Sequence, residues 1–301
     1  MRDGPLKLPP IIMPGESINN NEISSPKKAG KRNIIFGLFL VLLVMLLGTA
    51  GYLQVERISL GDDEMHAKAF AKLGAVALDN KFRGLVDLGA IFAEKPQFRE
   101  LVAGKRWDDA ISIANSLTET KLNNFIDRIL LFTPDGTLMS QSPDLGNGNL
   151  VGKNFAYRDY YAGVSKDWKP YVSEIFKRAP YPQYDTVVIA IPVLDPFATA
   201  SNMRLTGILG LSIIVDRFLA RLNGIKIGDG EIMYFVDQRG RVAMHPAKPT
   251  GTSFATVPVV QKVLNGESGA QIFTDPVNGK RTFDAYEPVA DYGWGVVVER
   301  E

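Results

Sequence analysis

The longest hydrophobic feature of the chain is IIFGLFLVLLVMLLGTAGYL, Ile34–Leu53, twenty residues without a charge. As a helix it would extend about 30 Å, the thickness of a bilayer's hydrocarbon core. KKAGKR stands directly before it, and the first charge after it is Glu56. That asymmetry predicts a cytoplasmic N-terminus and an exterior location for everything beyond Leu53. A signal peptide would have a shorter apolar run nearer the start, so an uncleaved anchor over 33–53 is the expectation. Beyond Gln54, apolar residues return at helical spacing: Phe70, Leu73, Val76, Leu78, Phe82, Leu85, Leu88 and Phe92. They predict a long exterior helix within 54–100, stopped by Pro96. A second helical pattern, RWDDAISIANSLTETKLNNF, covers 106–125.

Farther on the pattern changes to strands, and it repeats. RILLFTPDGTLMSQSP (128–143) resembles EIMYFVDQRGRVAMHP (231–246), each reading as strand, turn, strand and terminal Pro. Phe132 is paired with Phe235 at an offset of 103. VGKNFA answers TGTSFA, EIF (174–176) answers QIF (271–273), AIPV (190–193) answers YEPV (286–289), and GILGLSIIV (207–215) answers WGVVVE (294–299). The matches keep one order and drift only in loops. They predict two copies of a module of a hairpin, a short helical link and three more strands. The fold class is α+β: an N-terminal transmembrane helix, a long exterior helix and two antiparallel-sheet modules.

Composition limits the chemistry. The 301 residues are 46 % hydrophobic and 22 % charged, with a net charge of +1, so no global field points to nucleic acid. Residues 1–32 hold six basic and three acidic residues among Pro, Asn and Ser, and read as a disordered cytoplasmic tail. The chain has no cysteine and only His66 and His245, which leaves no thiol chemistry and a poor basis for a metal or Ser–His site. Acidic pairs such as Asp62–Asp63 and Asp108–Asp109 read as ordinary polar helix faces. No catalytic residue, metal or cofactor is expected.

The candidate chemistry sits in FAYRDYYAGV, 155–164. The second module has FATVPVVQKV there, so the fold itself does not demand three tyrosines and an arginine. On a helix Tyr157 and Tyr161 would share a face, with Arg158 beside Tyr161. Tyr171, Tyr181, Tyr184 and Trp168 add aromatic density. Small-ligand pockets are mostly apolar or aromatic with a few placed polar groups, and a guanidinium is a planar fork matched to a carboxylate. A structural hydrogen bond to a loop or a solvated surface position are the competing readings for Arg158.

The PDG turn, the aromatic segment after GKNF and the strand–Pro–long loop–GILG order resemble the double Cache family of bacterial sensor ectodomains over about 54–301. The resemblance implies two PAS-like modules, 101–220 membrane-distal and ligand-binding, and 221–301 membrane-proximal. Amino-acid-binding members carry a Tyr, then an Arg, then Trp-Tyr, with acidic residues on later strands taking the amine. By that likeness Arg158 takes the ligand carboxylate, Tyr160 replaces the Trp and Tyr161 matches the Tyr. Lys153 stands at the earlier Tyr position, while Ser173 (two after Tyr171) and Ser212 stand where acids are expected. The carboxylate half of the motif is present and the ammonium half is missing, which predicts an anionic organic acid. The expected protein is an inner-membrane sensor, a homodimer, with exterior sensing linked to a histidine kinase, cyclic-di-GMP enzyme or chemotaxis output in a longer receptor. A protein-docking ectodomain with an exposed aromatic patch over 157–184 is the alternative.

Overall fold

The computed structural model describes the backbone of residues 29–117, 125–144, 150–197, 204–220, 222, 227–228, 230–274, 279 and 281–300. The expected tail lies almost wholly outside them. The chain divides into two compact units, 1–59 and 60–301. Helix α1, Ala29–Ala93, supplies the described part of the first unit. It begins inside the segment read as tail. Within the expected span of 33–53, side chains are described for 38–49, and its large hydrophobics from Leu38 to Leu47 are exposed. Among the described residues, no helix is long and apolar enough to cross a membrane.

The second unit begins with the rest of α1. Its buried face is built from Ala67, Ala71, Gly74, Ala75, Leu78, Phe82, Leu85 and Phe92, whereas the larger Leu73 and Val76 are exposed. Small residues hold this face because the sheets come close. A Cβ on Gly74 would lie 2.9 Å from Val296 Cγ1, and one on Gly89 would lie 1.9 Å from Ile191 Cδ1. Pro96 does not only end a helix. It starts another, α2 (Pro96–Ala103), where its missing N–H costs nothing in the first turn. Helix α3 then covers Trp107–Ala114, followed by a 3-10 turn at Asn115–Leu117.

The first sheet holds β1 (Ile126–Phe132), β2 (Leu138–Ser142), β3 (Tyr171–Val172), β4 (Phe176–Lys177), β5 (Asp185–Leu194) and β6 (Leu205–Ile214). Their order is β2-β1-β6-β5-β3, with β4 also on β5. Helix α4 (Asp159–Asp167) packs on its front and α5 (Val215–Leu219) follows β6. The second sheet has β7 (Glu231–Val236), β8 (Val242–Met244), β9 (Gly269–Thr274), β10 (Arg281–Val289) and β11 (Trp294–Arg300), with α6 (Pro258–Leu264) before β9. Its order, β8-β7-β11-β10-β9, repeats that of the first, and every described pairing in both sheets is antiparallel.

Register confirms most of the internal repeat and corrects one part. Val188 faces Ser212 across β5 and β6 as Asp284 faces Glu299 across β10 and β11, which keeps AIPV on YEPV and GILGLS on WGVVVE. Phe176 pairs with Thr186 as Phe273 pairs with Thr282. The hairpins, however, correspond one residue away from the sequence match. The turn bond from Thr133 N to Thr137 O (2.9 Å) has its counterpart from Asp237 N to Arg241 O (2.9 Å). Arg128 pairs with Ser212 as Ile232 pairs with Glu299. Phe132 therefore corresponds to Val236, not Phe235, and Arg128 to Ile232. A slip of one residue moves every side chain of a strand to the other face.

The back faces of both sheets and the buried face of α1 share one core, in which Phe82 stacks on Phe218 (5.3 Å) and meets Trp294 edge-on (4.9 Å). Each front face has its own core: Phe132, Phe155, Tyr160 and Val188 in the first module, Tyr234, Val260, Phe273 and Tyr286 in the second.

Candidate functional site

A cleft opens on the front of the first sheet. Its floor is Arg128, Leu130 and Phe132 of β1 with Val188 and Ser212 of the neighbouring strands. Those β1 residues are two apart and share a face. Phe155, Arg158 and Tyr160 line it from the start of α4, Phe176 from β4, and Arg178, Ala179 and Pro180 from the link between β4 and β5. The free volume between these walls is about 40 Å³. That is space for water, not for an organic acid.

Arg158 is the residue that caps the start of α4, with extended backbone (φ −83°, ψ 147°). Tyr157 and Arg158 thus precede the helix, and the expected helical face of Tyr157, Arg158 and Tyr161 does not form. The Arg158 guanidinium instead lies between two rings, 5.2 Å from Tyr157 and 4.9 Å from Phe176. Its Nε is buried without a hydrogen-bond partner, and no carboxylate among the described residues pairs with it. Leaving a buried charged donor unmatched costs more than leaving a neutral one.

Of the other expected residues, Tyr160 and Ser212 line the cleft. Tyr160 is buried on Phe132 and Phe176, and that burial pushes its phenol up. The remaining five lie elsewhere. Tyr157 is exposed. Tyr161 donates to Pro134 O (3.1 Å) and packs over Gly136, whose φ of +87° makes the β1–β2 turn. The Tyr171 hydroxyl donates to Asp159 Oδ1 (3.2 Å), and burial, then the Asp159 charge, pushes it up to about 12. Ser173 Oγ accepts Val188 N (2.9 Å), which makes it a strand-pairing residue. Lys153 is exposed, with its carbonyl accepting Leu138 N (2.9 Å).

Two cationic residues of the cleft escaped the sequence reading, Arg128 and Arg178, both almost fully buried. Arg178 pairs with Asp127, donates through Nε to Pro182 O (2.6 Å) and stacks 4.6 Å from the Tyr184 ring. Arg128 Nε lies 3.5 Å from the same Asp127 oxygen, and its Nη1 donates to Gln141 Oε1 (3.1 Å). Burial pushes the Arg128 guanidinium below its ordinary range, partly offset by Asp127. The signal available was the alternation Arg128–Leu130–Phe132, which the slipped repeat hid. Among the described residues, no group of three or more His, Cys, Asp or Glu could hold a metal ion.

A larger and more polar groove, about 440 Å³, runs between the modules from Lys177 and Asp185 to His245 and Lys248. Asp185 is paired with Lys177 (2.5 Å), and Asp216 accepts the Thr250 hydroxyl (2.6 Å), so its acidic groups already have partners.

The model of the Cache domain matches residues 77–301. The chain belongs to the Cache family. No curated protein matches it in sequence. Among solved structures, the chain is similar to the periplasmic sensory domain of the Campylobacter jejuni chemoreceptor Tlp1, at 17 % identity and a TM-score of 0.58, covering 80 % of this chain and 95 % of that one. It is similar to the ligand-binding domain of the Pseudomonas fluorescens chemoreceptor CtaA in complex with L-isoleucine, at 15 % identity and a TM-score of 0.57, over 82 % and 95 %. The same holds for the Pseudomonas aeruginosa PAO1 amino acid chemoreceptor PctB with L-Arg, at 16 % identity and a TM-score of 0.54, over 80 % and 96 %. At these identities the likeness is one of fold. Cache domains are sensor ligand-binding domains and not catalytic ones. In this Cache protein two cations of the cleft are particular to the first module, because Val257 and Ile232 of the second stand where Arg158 and Arg128 stand in the first.

Proposed function

We propose that the chain senses a small organic-acid anion outside the cytoplasm, in the first module (101–220), for a bacterial membrane receptor. The observation that carries this reading is Arg158, a cation held between Tyr157 and Phe176, lining an apolar cleft and without a carboxylate partner among the described residues. A ligand carboxylate would supply the missing partner. The alternative of an amino acid is disfavoured, because Ser212 stands where an acid would take the ammonium group. On this reading 33–53 anchors the chain in the inner membrane and the second module (221–301) lies nearer the bilayer. The exposed Met65, Leu73, Val76 and Ile91 of α1 suit a homodimer contact. The output would be a cytoplasmic histidine kinase, cyclic-di-GMP enzyme or chemotaxis module.

Entry of a ligand requires a wall to move. The wall that would move is the Arg178–Pro180 segment, tied by the Arg178 side chain to Asp127 and Pro182 O (2.6 Å) and by Arg178 N to Tyr184 O (3.1 Å). Isothermal titration with a panel of carboxylates tests the reading. Arg158→Ala should weaken binding by about 2–4 kcal/mol, roughly 30- to 1000-fold, with the melting transition preserved. Undiminished affinity in that variant removes Arg158 from the site. Docking of a protein partner is favoured by one observation, the exposure of Tyr157 and Tyr181, and predicts silence across the carboxylate panel.

A further inference from the structure

The cleft holds more positive charge than one carboxylate needs. Three guanidiniums line it: Arg128, Arg158 and Arg178. Asp127 is the carboxylate in ion-pair contact there, and one of its oxygens serves both Arg178 and Arg128. Asp144 acts on Arg128 from farther away. Arg128 Nε is buried without a hydrogen-bond partner, as is Arg158 Nε. Two incompletely matched guanidiniums therefore face one small space, Arg128 from the sheet floor and Arg158 from the start of α4. Between them the lining is apolar, from Leu130, Phe132 and Val188. Ser212, the cross-strand neighbour of Arg128, adds a hydroxyl at the floor end. The fold requires neither cation, since Ile232 and Val257 fill the corresponding places of the second module.

We infer that the cleft takes an acid with two anionic groups on a short carbon chain, one group on Arg158 and the other on Arg128 beside Ser212. This rests on the anion-sensing reading above and narrows it. A buried cation with too few acceptors is costly, and a second carboxylate of the ligand supplies them. A single carboxylate would leave one guanidinium as it is now.

Isothermal titration of the full chain with succinate, butyrate and inorganic phosphate is the test. Succinate should bind about tenfold or more tightly than butyrate, and phosphate should bind more weakly than succinate. Arg128→Gln should collapse the preference for succinate over butyrate. Ser212→Asp, which places a carboxylate beside Arg128 without removing it, should do the same if the first variant fails to fold. Equal affinity for succinate and butyrate, or phosphate binding as well as succinate, overturns the two-anion inference and leaves anion sensing intact. A preference for succinate that survives Ser212→Asp in a folded protein overturns it too. If the wild-type chain binds none of the three, and no other carboxylate of a broad panel, the sensing reading itself falls and the inference with it.

Discussion

Asp284 stands in the second module where the first has Val188, and Glu299 where it has Ser212. Asp284 is almost fully buried. Its Oδ2 accepts the Thr282 hydroxyl (3.1 Å) and its Oδ1 has no partner. Burial, with a contribution from Glu299, pushes the carboxyl up to about 7, against the pull of the Thr282 bond. Between about pH 4 and 7 the folded protein thus keeps a proton that the unfolded chain has released, and stability falls as pH rises through that window. Each unit of displacement is worth about 1.4 kcal/mol, so Asp284→Asn should gain about 1–3 kcal/mol at pH 8 and nothing near pH 4. His245, pushed down to about 4 by burial and then Lys248, acts with the opposite slope below about pH 6.5. The difference between wild type and variant in urea melts therefore reads Asp284. An equal difference at both pH values contradicts the assignment. Tyr161→Phe tests a residue expected to bind ligand that does not line the cleft. Losing the bond to Pro134 O should cost about 0.5–1.5 kcal/mol in stability while ligand affinity holds. Of the cleft's residues, Arg158 and Tyr160 were legible from the aromatic composition around the start of α4, and Ser212 only through the family likeness. Arg128 was not, because a strand residue reveals its face only when the register is right.

The elements were legible in type more than in contact. Both strand-rich modules were readable from alternation and repetition. The face of α1 was not, since large apolar residues drew attention to Leu73 and Val76 while Ala67, Ala71 and Gly74 make the close approach. Helix α2 was missed because Pro96 reads equally as a stop and a start. Helix α4 depends on a similar close approach. A Cβ on Gly163 would lie 2.3 Å from the Tyr171 ring, which the Asp159 bond holds in place. Asp159 Oδ2 also accepts Glu174 N (2.8 Å), so the start of α4 is tied to the link between β3 and β4. Gly163→Ala should cost about 1–3 kcal/mol and weaken ligand binding by moving Arg158 with its helix. A variant with an unchanged melting temperature would show that Tyr171 yields freely.

At the scale of the whole second unit, the modules are joined next to the cleft. Asp237, fully buried in the β7–β8 turn, accepts Arg239 N (2.9 Å) and Arg241 N (2.8 Å) from its own turn and Ile175 N (2.8 Å) from the first module. Burial still pushes its carboxyl up against those three donors. Gln238 donates to Val172 O (2.8 Å), Arg241 to Ile175 O, and Arg239 pairs with Glu174. The clamped segment continues directly into Phe176 and Arg178 of the cleft wall. A ligand that moves this wall pulls on the second module, with an effect limited to its differential affinity for the two arrangements. Asp237→Ala should abolish ligand-induced changes in hydrogen exchange at the β7–β8 turn while the first module still binds. Persistence of those changes would place the coupling elsewhere, in α1 or in the Asp216–Thr250 contact between the modules.

The most direct measurement is the side-chain Nε–H signal of Arg158 in proton–nitrogen spectra of the full chain, followed while succinate is added. Ligation by a carboxylate predicts a saturable shift of that signal together with Arg128, while the exposed Arg281 of the second module stays in place. An Arg158 signal that does not move while succinate binds would contradict the assignment of the cleft.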